Sequence, residues 1–274
     1  MTSETAFSDH EFALLSRLVQ QSCGINLTPQ KKDMLRMRIA KRMRLMGQKS
    51  FLAYYRLVRS DRQELTEMID AVATNVTHFF REEHHFRFLR RALPALAQQH
   101  GELRIWSAGC ASGEEPYSIA IVLDELFGAS GGSGRPGGRI LATDISTRIL
   151  HQAEQGIYLR HAVEERMPTS LMQQAFQLGV AAQEGQVRIK EPLRRLVRFA
   201  RLNLLDETYP FARKFHVIFC RNVMIYFDQE TKMKLLSRFH RHLADDGYLI
   251  IGHAETVLNR NDFIPADLTV FRKA

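Results

Sequence analysis

The chain has 274 residues, of which 45% are hydrophobic and 25% charged, a composition typical of a globular protein that buries a core, and its formal net charge of +8 favours an acidic partner. No stretch approaches the roughly 20 apolar residues that span a bilayer, and the amino-terminal residues lack the pattern of a signal peptide, so we expect a cytoplasmic protein without direct membrane insertion. Three widely spaced cysteines argue against a disulfide framework, and the absence of CxxC and HxxxH pairs argues against a metal site.

Residues 1–90 predict an all-helical domain. Ser8 and Glu11 form a capping-box pattern at the start of the first helix, and Gly24 is a plausible end for it. Thr28 and Pro29 are typical of a second helix start. Two further helices are expected to begin at Ser50 and Ser60.

The second predicted helix is strongly basic. Between Lys31 and Lys49 the sequence has eight basic residues and one acid, Asp33, which gives this segment a charge of +7. Its apolar residues recur at helical spacing, so most of the basic side chains should share the opposite face. That face is either a docking surface for an acidic partner or simply a solvated helix surface.

From about residue 100 onward, short β-rich runs alternate with helical runs, which predicts a doubly wound parallel sheet of Rossmann-like type. Residues 157–195 interrupt this alternation and predict a small inserted antiparallel β subdomain. The expected organisation is therefore a helical domain over 1–90, a linker over 91–100 and an α/β domain over 101–274. The expected strands of the main sheet are Leu103–Ala108, Ile140–Asp144, Val197–Leu202, His216–Cys220, Tyr248–Gly252 and Leu268–Arg272.

A glycine-rich segment, Gly128–Arg139, contains six glycines in twelve residues. It lacks the GxxxxGK[ST] pattern of a phosphate-binding loop and precedes a predicted strand instead of following one. We therefore interpret it as a flexible surface connection.

Two features of the α/β domain predict a nucleoside site. The first strand runs into a turn with Gly109 and Gly113, followed by a helix, which allows close approach of a ligand to the backbone. Asp144 ends the second strand, where an acid typically binds ribose hydroxyls, although it could instead cap the following helix. Glu114 and Glu115 at the helix start would repel a pyrophosphate but suit an ammonium group, which favours S-adenosylmethionine over NAD.

Six segments carry a resemblance to known proteins, namely Thr74–Glu82, Trp106–Ser118, Ala142–Ile145, Asn203–Leu205, Phe219–Asp228 and Gly252–Glu255. Together they resemble the CheR family, the protein-glutamate O-methyltransferases of chemotaxis receptors. The resemblance covers essentially the whole chain, and the CRNVMIYFD string is long and specific. Two details depart from the usual family pattern, namely Ala254 in place of a more frequent serine and Gly109-Cys110 where small residues such as alanine are common.

The resemblance implies a set of site residues. Glu115 would bind the methionine amino group and Asp144 the ribose of S-adenosylmethionine. Arg81 and Tyr226 would face the reacting centre as catalytic residues, although Arg81 could instead pair with a neighbouring glutamate and Tyr226 could be edge packing. The remaining cofactor-binding residues implied by the resemblance are Asn75, Thr77, Arg81, Asn203, Leu204, Arg221 and Asn222.

The implied reaction is methyl transfer to glutamate carboxylates in the cytoplasmic methylation region of chemotaxis receptors, leaving S-adenosylhomocysteine as the product. A glutamate with a pKa near ~4.3 is already ionised at neutral pH, so no general base is needed. The basic helix would dock on the acidic receptor, and the inserted β subdomain is a second receptor contact in the family. We expect a monomer.

Two other functions fit parts of the sequence. A nucleic-acid methyltransferase could use the basic helix to track phosphates, but base methyltransferases often carry an N/D-P-P-Y/F motif where this chain has Arg221-Asn-Val-Met-Ile. A binding module that senses S-adenosylmethionine without catalysis is the third possibility. Labelled methyl transfer separates the three.

Overall fold

The computed structural model describes residues 7–128, 137–257 and 261–274. Within those ranges, no helix combines the length and the apolarity that crossing a bilayer requires. Most of the glycine-rich segment, residues 129–136, lies outside the described residues. The helices of the amino-terminal part are α1 (Asp9–Cys23), α2 (Lys32–Leu45), α3 (Phe51–Ser60), α4 (Arg62–Val72) and α5 (His84–His100).

The capping pattern of α1 is confirmed. The Ser8 hydroxyl accepts the N–H of Glu11, and the Glu11 carboxylate accepts the N–H of Ser8 in return. Gly24 ends the helix in the left-handed conformation, with φ 78°, which costs glycine little.

The basic helix begins with a short 3-10 turn, Pro29–Lys31, and continues as α2. Leu35, Ile39 and Met43 are buried on its inner face and join the core of the helical domain. Helix α3 begins after Ser50 as expected, whereas α4 is capped by Asp61 and not by Ser60. The Asp61 carboxylate accepts two backbone N–H groups, whereas Ser60 is the last residue of α3 and its hydroxyl donates to carbonyls of that helix.

The expected linker over residues 91–100 is wrong, because these residues form the second half of α5. Leu89, Leu93 and Leu96 are buried in the core of the α/β domain, and the helix continues through Pro94. The irregular connection between the two domains lies earlier, at residues 73–83.

Within the described part of the chain, the main sheet has seven strands in the order β6-β2-β1-β7-β8-β10-β9. Five are parallel, and β10 and β9 extend one edge in antiparallel fashion. Strand β9 contains Pro265 and was not anticipated; it lies at the sheet edge, where proline is tolerated. The strands are β1 (Leu103–Ala108), β2 (Gly138–Asp144), β6 (Val197–Arg201), β7 (Phe215–Cys220), β8 (Leu243–Ile251), β9 (Phe263–Asp267) and β10 (Val270–Lys273).

The inserted β subdomain is confirmed as a three-stranded antiparallel sheet in the order β3-β5-β4, formed by β3 (Ile157–Leu159), β4 (Phe176–Leu178) and β5 (Gln186–Ile189). The remaining helices are α6 (Glu114–Phe127), α7 (Thr147–Gln155), α8 (Arg160–Glu164), α9 (Thr169–Ala175), α10 (Glu191–Arg194) and α11 (Gln229–His242).

The chain order makes β1 a switch point of the main sheet. Strand β2 lies on one side of β1 and β7 on the other, so the connections that follow β1 and β7 diverge. In open α/β sheets, ligands bind in the crevice that such a divergence leaves at the carboxyl ends of the strands.

Candidate active site

An open cleft of about 920 Å³ lies at the carboxyl ends of β1, β2 and β7. The segment after α4 and the carboxyl end of α1 form its opposite wall. The sequence-predicted residues are brought together here without exception, since each of them lines the cleft. They are Asn75, Thr77, Arg81, Glu115, Asp144, Asn203, Leu204, Arg221, Asn222 and Tyr226.

Glu115 is held in a buried charge network at one end of the cleft. Its carboxylate accepts a hydrogen bond of 2.6 Å from the Ser107 hydroxyl and one of 3.1 Å from the Arg221 guanidinium. Arg221 also lies 3.4 Å from the Glu82 carboxylate and donates to the carbonyl of Arg81. Two carboxylates around one guanidinium leave a net negative charge, which suits an ammonium group.

Burial raises the pKa of Glu115, and the Arg221 charge and the Ser107 hydrogen bond oppose that rise. The two donors therefore stabilise the charged form of a carboxylate that is shielded from water. The pKa of Glu114 is also raised by burial, and its carboxylate accepts from the Ser112 hydroxyl.

The glycine turn after β1 approaches the cleft closely. The N–H groups of Gly109 and Cys110 both donate to the Thr143 carbonyl, which ties the turn to the end of β2. Gly109 has φ 83°, and a Cβ added there would lie 2.4 Å from a Val223 methyl group. Only glycine therefore fits between the two loops that form the cleft floor.

Asp144 lies at the end of β2. Its carboxylate accepts the N–H of Ala111 at 2.9 Å and that of Ser146 at 3.0 Å. The N-cap of α7 is Ser146, whose hydroxyl accepts from Ile149, so the capping role considered for Asp144 belongs to its neighbour. Burial raises the pKa of Asp144, and its backbone hydrogen bonds oppose the rise.

Residues 73–83 connect the two domains across the cleft. The Arg81 guanidinium donates to the Val76 carbonyl at 2.9 Å, a contact within its own segment and not the alternative pairing with a neighbouring glutamate. The N–H of Phe80 donates to the Ser118 hydroxyl. Phe79 is a core aromatic, packed edge-on against Tyr158 of the β subdomain.

Tyr226 lies in a short 3-10 turn, Met224–Tyr226, after β7 and not at a strand end. Its backbone carbonyl accepts the N–H of Asn26, from the loop after α1, at 2.8 Å. Asn203 makes a second cross-domain contact, because its side-chain amide donates to the Ser22 carbonyl at 2.8 Å. The helical domain is therefore hydrogen-bonded to both loops that flank the cleft.

Three histidines pack beside the charge network. The rings of His84 and His85 lie 4.0 Å apart, and those of His84 and His253 lie 4.7 Å apart. Burial, assisted by the Arg221 charge, lowers the pKa of His85 to about 2, so this ring is neutral. Among the described residues no group of three or more acids, histidines and cysteines could hold a metal ion.

Sequence reasoning missed several cleft residues. Cys23 and Ile25, from the end of α1, line the cleft, but no local motif marks them because their place depends on how the domains pack. Glu255 does not line the cleft but supports one of its loops; the sequence marks it only as part of a family segment, and its three backbone hydrogen bonds become visible only in the fold.

Comparison with known proteins matches two family models in tandem. Residues 10–73 match the model described as "CheR methyltransferase, all-alpha domain", and residues 75–271 match "CheR methyltransferase, SAM binding domain". The chain belongs to the CheR methyltransferase family. It is a methyltransferase whose cofactor is S-adenosylmethionine, as the sequence predicted.

Curated relatives of this CheR-family chain carry the name "Chemotaxis protein methyltransferase". One from Borreliella burgdorferi is 40% identical over 90% of this chain and 88% of its own length. One from Escherichia coli is 40% identical over 93% of this chain and 87% of its own length. The two domains of the CheR family meet at residues 73–75, which agrees with the position of the irregular connection.

Proposed function

We propose that the protein transfers the methyl group of S-adenosylmethionine to glutamate side chains in the cytoplasmic methylation region of chemotaxis receptors, forming glutamyl methyl esters. The observation that carries the proposal is the single cleft that unites the buried acids Glu115 and Asp144 with Arg81 and Tyr226. The names of the relatives support a receptor of chemotaxis as the substrate.

The cleft fits the cofactor by charge and shape. Glu115 and Asp144 are buried acids in one cleft, and they suit the amino group and the ribose hydroxyls respectively. The glycine turn lets the ligand approach the backbone, and Leu204 offers an apolar surface for the adenine. When bound, S-adenosylmethionine supplies an electrophilic methyl group on a sulfonium.

The reaction requires the protein to align the substrate carboxylate with the methyl group, and it requires no proton transfer. A glutamate carboxylate is ionised at neutral pH, so the nucleophile needs no base. We assign Arg81 to orienting the substrate carboxylate and Tyr226 to shaping the channel through which it reaches the methyl group. Alignment of this kind lowers a barrier by roughly 7–11 kcal/mol in favourable cases.

The exposed basic face of α2 is the proposed receptor contact. Arg42 is not part of it, because its guanidinium is bonded to Glu64 and Glu67 of α4. Arg38 likewise donates to the backbone carbonyls of Val72 and Ala73. The exposed basic residues that remain, here called the basic face, are Lys31, Lys41, Arg44 and Lys49.

The proposal places the protein in the cytoplasm, where the receptor methylation region is found, and as a monomer. The test is transfer of labelled methyl groups to receptor fragments. We expect label in the receptor that base treatment releases as methanol, the signature of an ester. Label in nucleic acid, or binding of S-adenosylhomocysteine without any transfer, would refute the proposal.

A further inference from the structure

Glu255 lies outside the cleft but contacts the loop that forms one of its walls. The side chain is 8% exposed, and its two carboxylate oxygens accept three backbone N–H groups. One oxygen accepts from Asn222 at 3.0 Å and from Gly252 at 2.7 Å, and the other accepts from Ile225 at 3.2 Å.

The three donors come from two strand ends. Asn222 and Ile225 belong to the loop between β7 and α11, whereas Gly252 directly follows β8. The loop carries Asn222 and Tyr226 into the cleft. A single buried carboxylate thus joins the carboxyl ends of two neighbouring strands and fixes the loop between them.

The backbone of this loop needs such support. Asn222 has φ 59°, in the left-handed region that a non-glycine residue adopts only at some cost. It also lies against Gly252, where an added Cβ would be 2.8 Å from the Asn222 side-chain nitrogen and 2.9 Å from its backbone nitrogen. Both the hydrogen bonds and the tight fit specify one position for Asn222.

We propose that Glu255 is a positioning residue for methyl transfer, which holds the loop from Arg221 to Tyr226 in the conformation that places Asn222 at the cofactor and Tyr226 at the reacting centre. A carboxylate suits this role because it presents only acceptors to converging N–H groups. A glutamine would turn an NH₂ group toward one of the donors and leave that N–H without an acceptor. The inference rests on the proposed function for its substrate, but not for the loop geometry.

The test compares Glu255→Gln with the wild-type protein in cofactor binding and in catalysis. We expect the Kd for S-adenosylhomocysteine to rise about threefold or more and kcat for receptor methylation to fall about tenfold or more, because small displacements of aligned groups are costly. The KM for the receptor fragment should stay within about threefold, since the basic face is untouched.

The matched control is Asp61→Ala, which removes another carboxylate that accepts two backbone N–H groups, far from the cleft at the start of α4. It should lower thermal stability while leaving kcat and the Kd unchanged. If the folded Glu255→Gln protein keeps the kcat and the Kd of the wild type, or if the control loses both equally, the positioning role is wrong.

A second variant covers the case in which Glu255→Gln does not fold. Gly252→Ala keeps the Glu255 side chain but presses a methyl group against both Asn222 and the Glu255 carboxylate, so it should also raise the Kd and lower kcat. An unchanged Gly252→Ala enzyme would overturn the inference. Should the wild-type protein bind S-adenosylhomocysteine but methylate no receptor, the proposed function fails, and the Kd values alone then decide the role of Glu255.

Discussion

Arg221 connects parts of the active site that are far apart in the chain. It bonds to Glu115 at the start of α6, lies near Glu82 and donates to the carbonyl of Arg81. The guanidinium is almost fully buried, so removing it would leave two carboxylates close together without a counter-charge. The network therefore fixes the acid that is expected to bind the cofactor and the backbone of the residue expected to bind the substrate.

The catalytic assignment predicts different losses in rate and in binding. Arg81→Ala and Tyr226→Ala should lower kcat about tenfold or more while changing the Kd for S-adenosylhomocysteine by less than about threefold, since Arg81 is assigned to orienting the substrate carboxylate and Tyr226 to shaping its channel. Initial-rate kinetics on receptor fragments and calorimetry measure the two effects. Arg139→Ala removes an exposed arginine at the start of β2, the end of that strand away from the cleft, and serves as the control. Equal losses in rate and affinity would contradict the assignment.

Site residues could be predicted from the sequence where the chemistry is local. The glycine turn, Glu115 and Asp144 follow from strand-end motifs, and they do line one cleft. Their partners could not be predicted in the same way. Arg221 lies 106 positions from Glu115, and nothing in the local pattern reveals that the two side chains meet.

Among the elements, the turn between β1 and α6 depends most on a single residue. Gly109→Ala should destabilise the protein by roughly 1–3 kcal/mol and weaken binding of S-adenosylhomocysteine, because it adds both backbone strain and a collision with Val223. Urea unfolding and calorimetry report the two effects. Gly47→Ala is the control, since Gly47 also has a positive φ but has open space around it. That variant should lose stability by about 1 kcal/mol and keep its affinity.

The basic face leads to a prediction about receptor binding. Reversing the charge at both Lys41 and Arg44 should raise the KM for the receptor about tenfold and flatten its dependence on salt, while leaving cofactor affinity unchanged. Steady-state kinetics at several salt concentrations test this. Reversal at the exposed Arg213, in the loop before β7, is the control. A salt dependence as steep as that of the wild type would show that the basic face is not the contact.

Most elements could be predicted from the sequence because capping patterns and periodicity agree with the final packing. Two of the errors involve a proline, a residue that usually breaks helices and strands, which the tertiary structure accommodates for a different reason in each case. Pro94 lies inside α5 because buried leucines on both sides of it hold the helix against the sheet. Pro265 lies in β9 because an edge strand tolerates a missing donor.

For the whole molecule, a histidine at the far end of the sheet predicts how stability depends on pH. Burial, with help from Arg104 and His100, lowers the pKa of His216 to about 4, and Asp246 opposes this. The backbone N–H of Arg104 donates to its Nδ1 atom, which requires the neutral ring. In the unfolded chain the same group titrates near ~6.5.

Between about pH 6.5 and 4, His216 is therefore protonated in the unfolded state but not in the folded state. The free energy of unfolding should fall as the pH is lowered through that window. The free energy of unfolding of His216→Gln should fall less steeply with decreasing pH than that of the wild type. The two slopes should differ by up to about 1.4 kcal/mol per pH unit. Urea unfolding of both proteins at pH values across the window measures the difference. Parallel curves for the two proteins would exclude His216 as the source.

The cleft has walls from both domains, and this limits how the molecule can be divided. Cys23 and Ile25 line it from the helical side, and Asn26 and Ser22 bond to the loops opposite. A fragment cut at the family boundary near residue 74 would keep every strand of the sheet and still lack one side of its nucleoside pocket. The helical domain therefore cannot be removed or exchanged without changing the cofactor cleft. A chimera that replaces this domain to redirect the enzyme to another receptor must also restore the residues with which the domain lines the cleft.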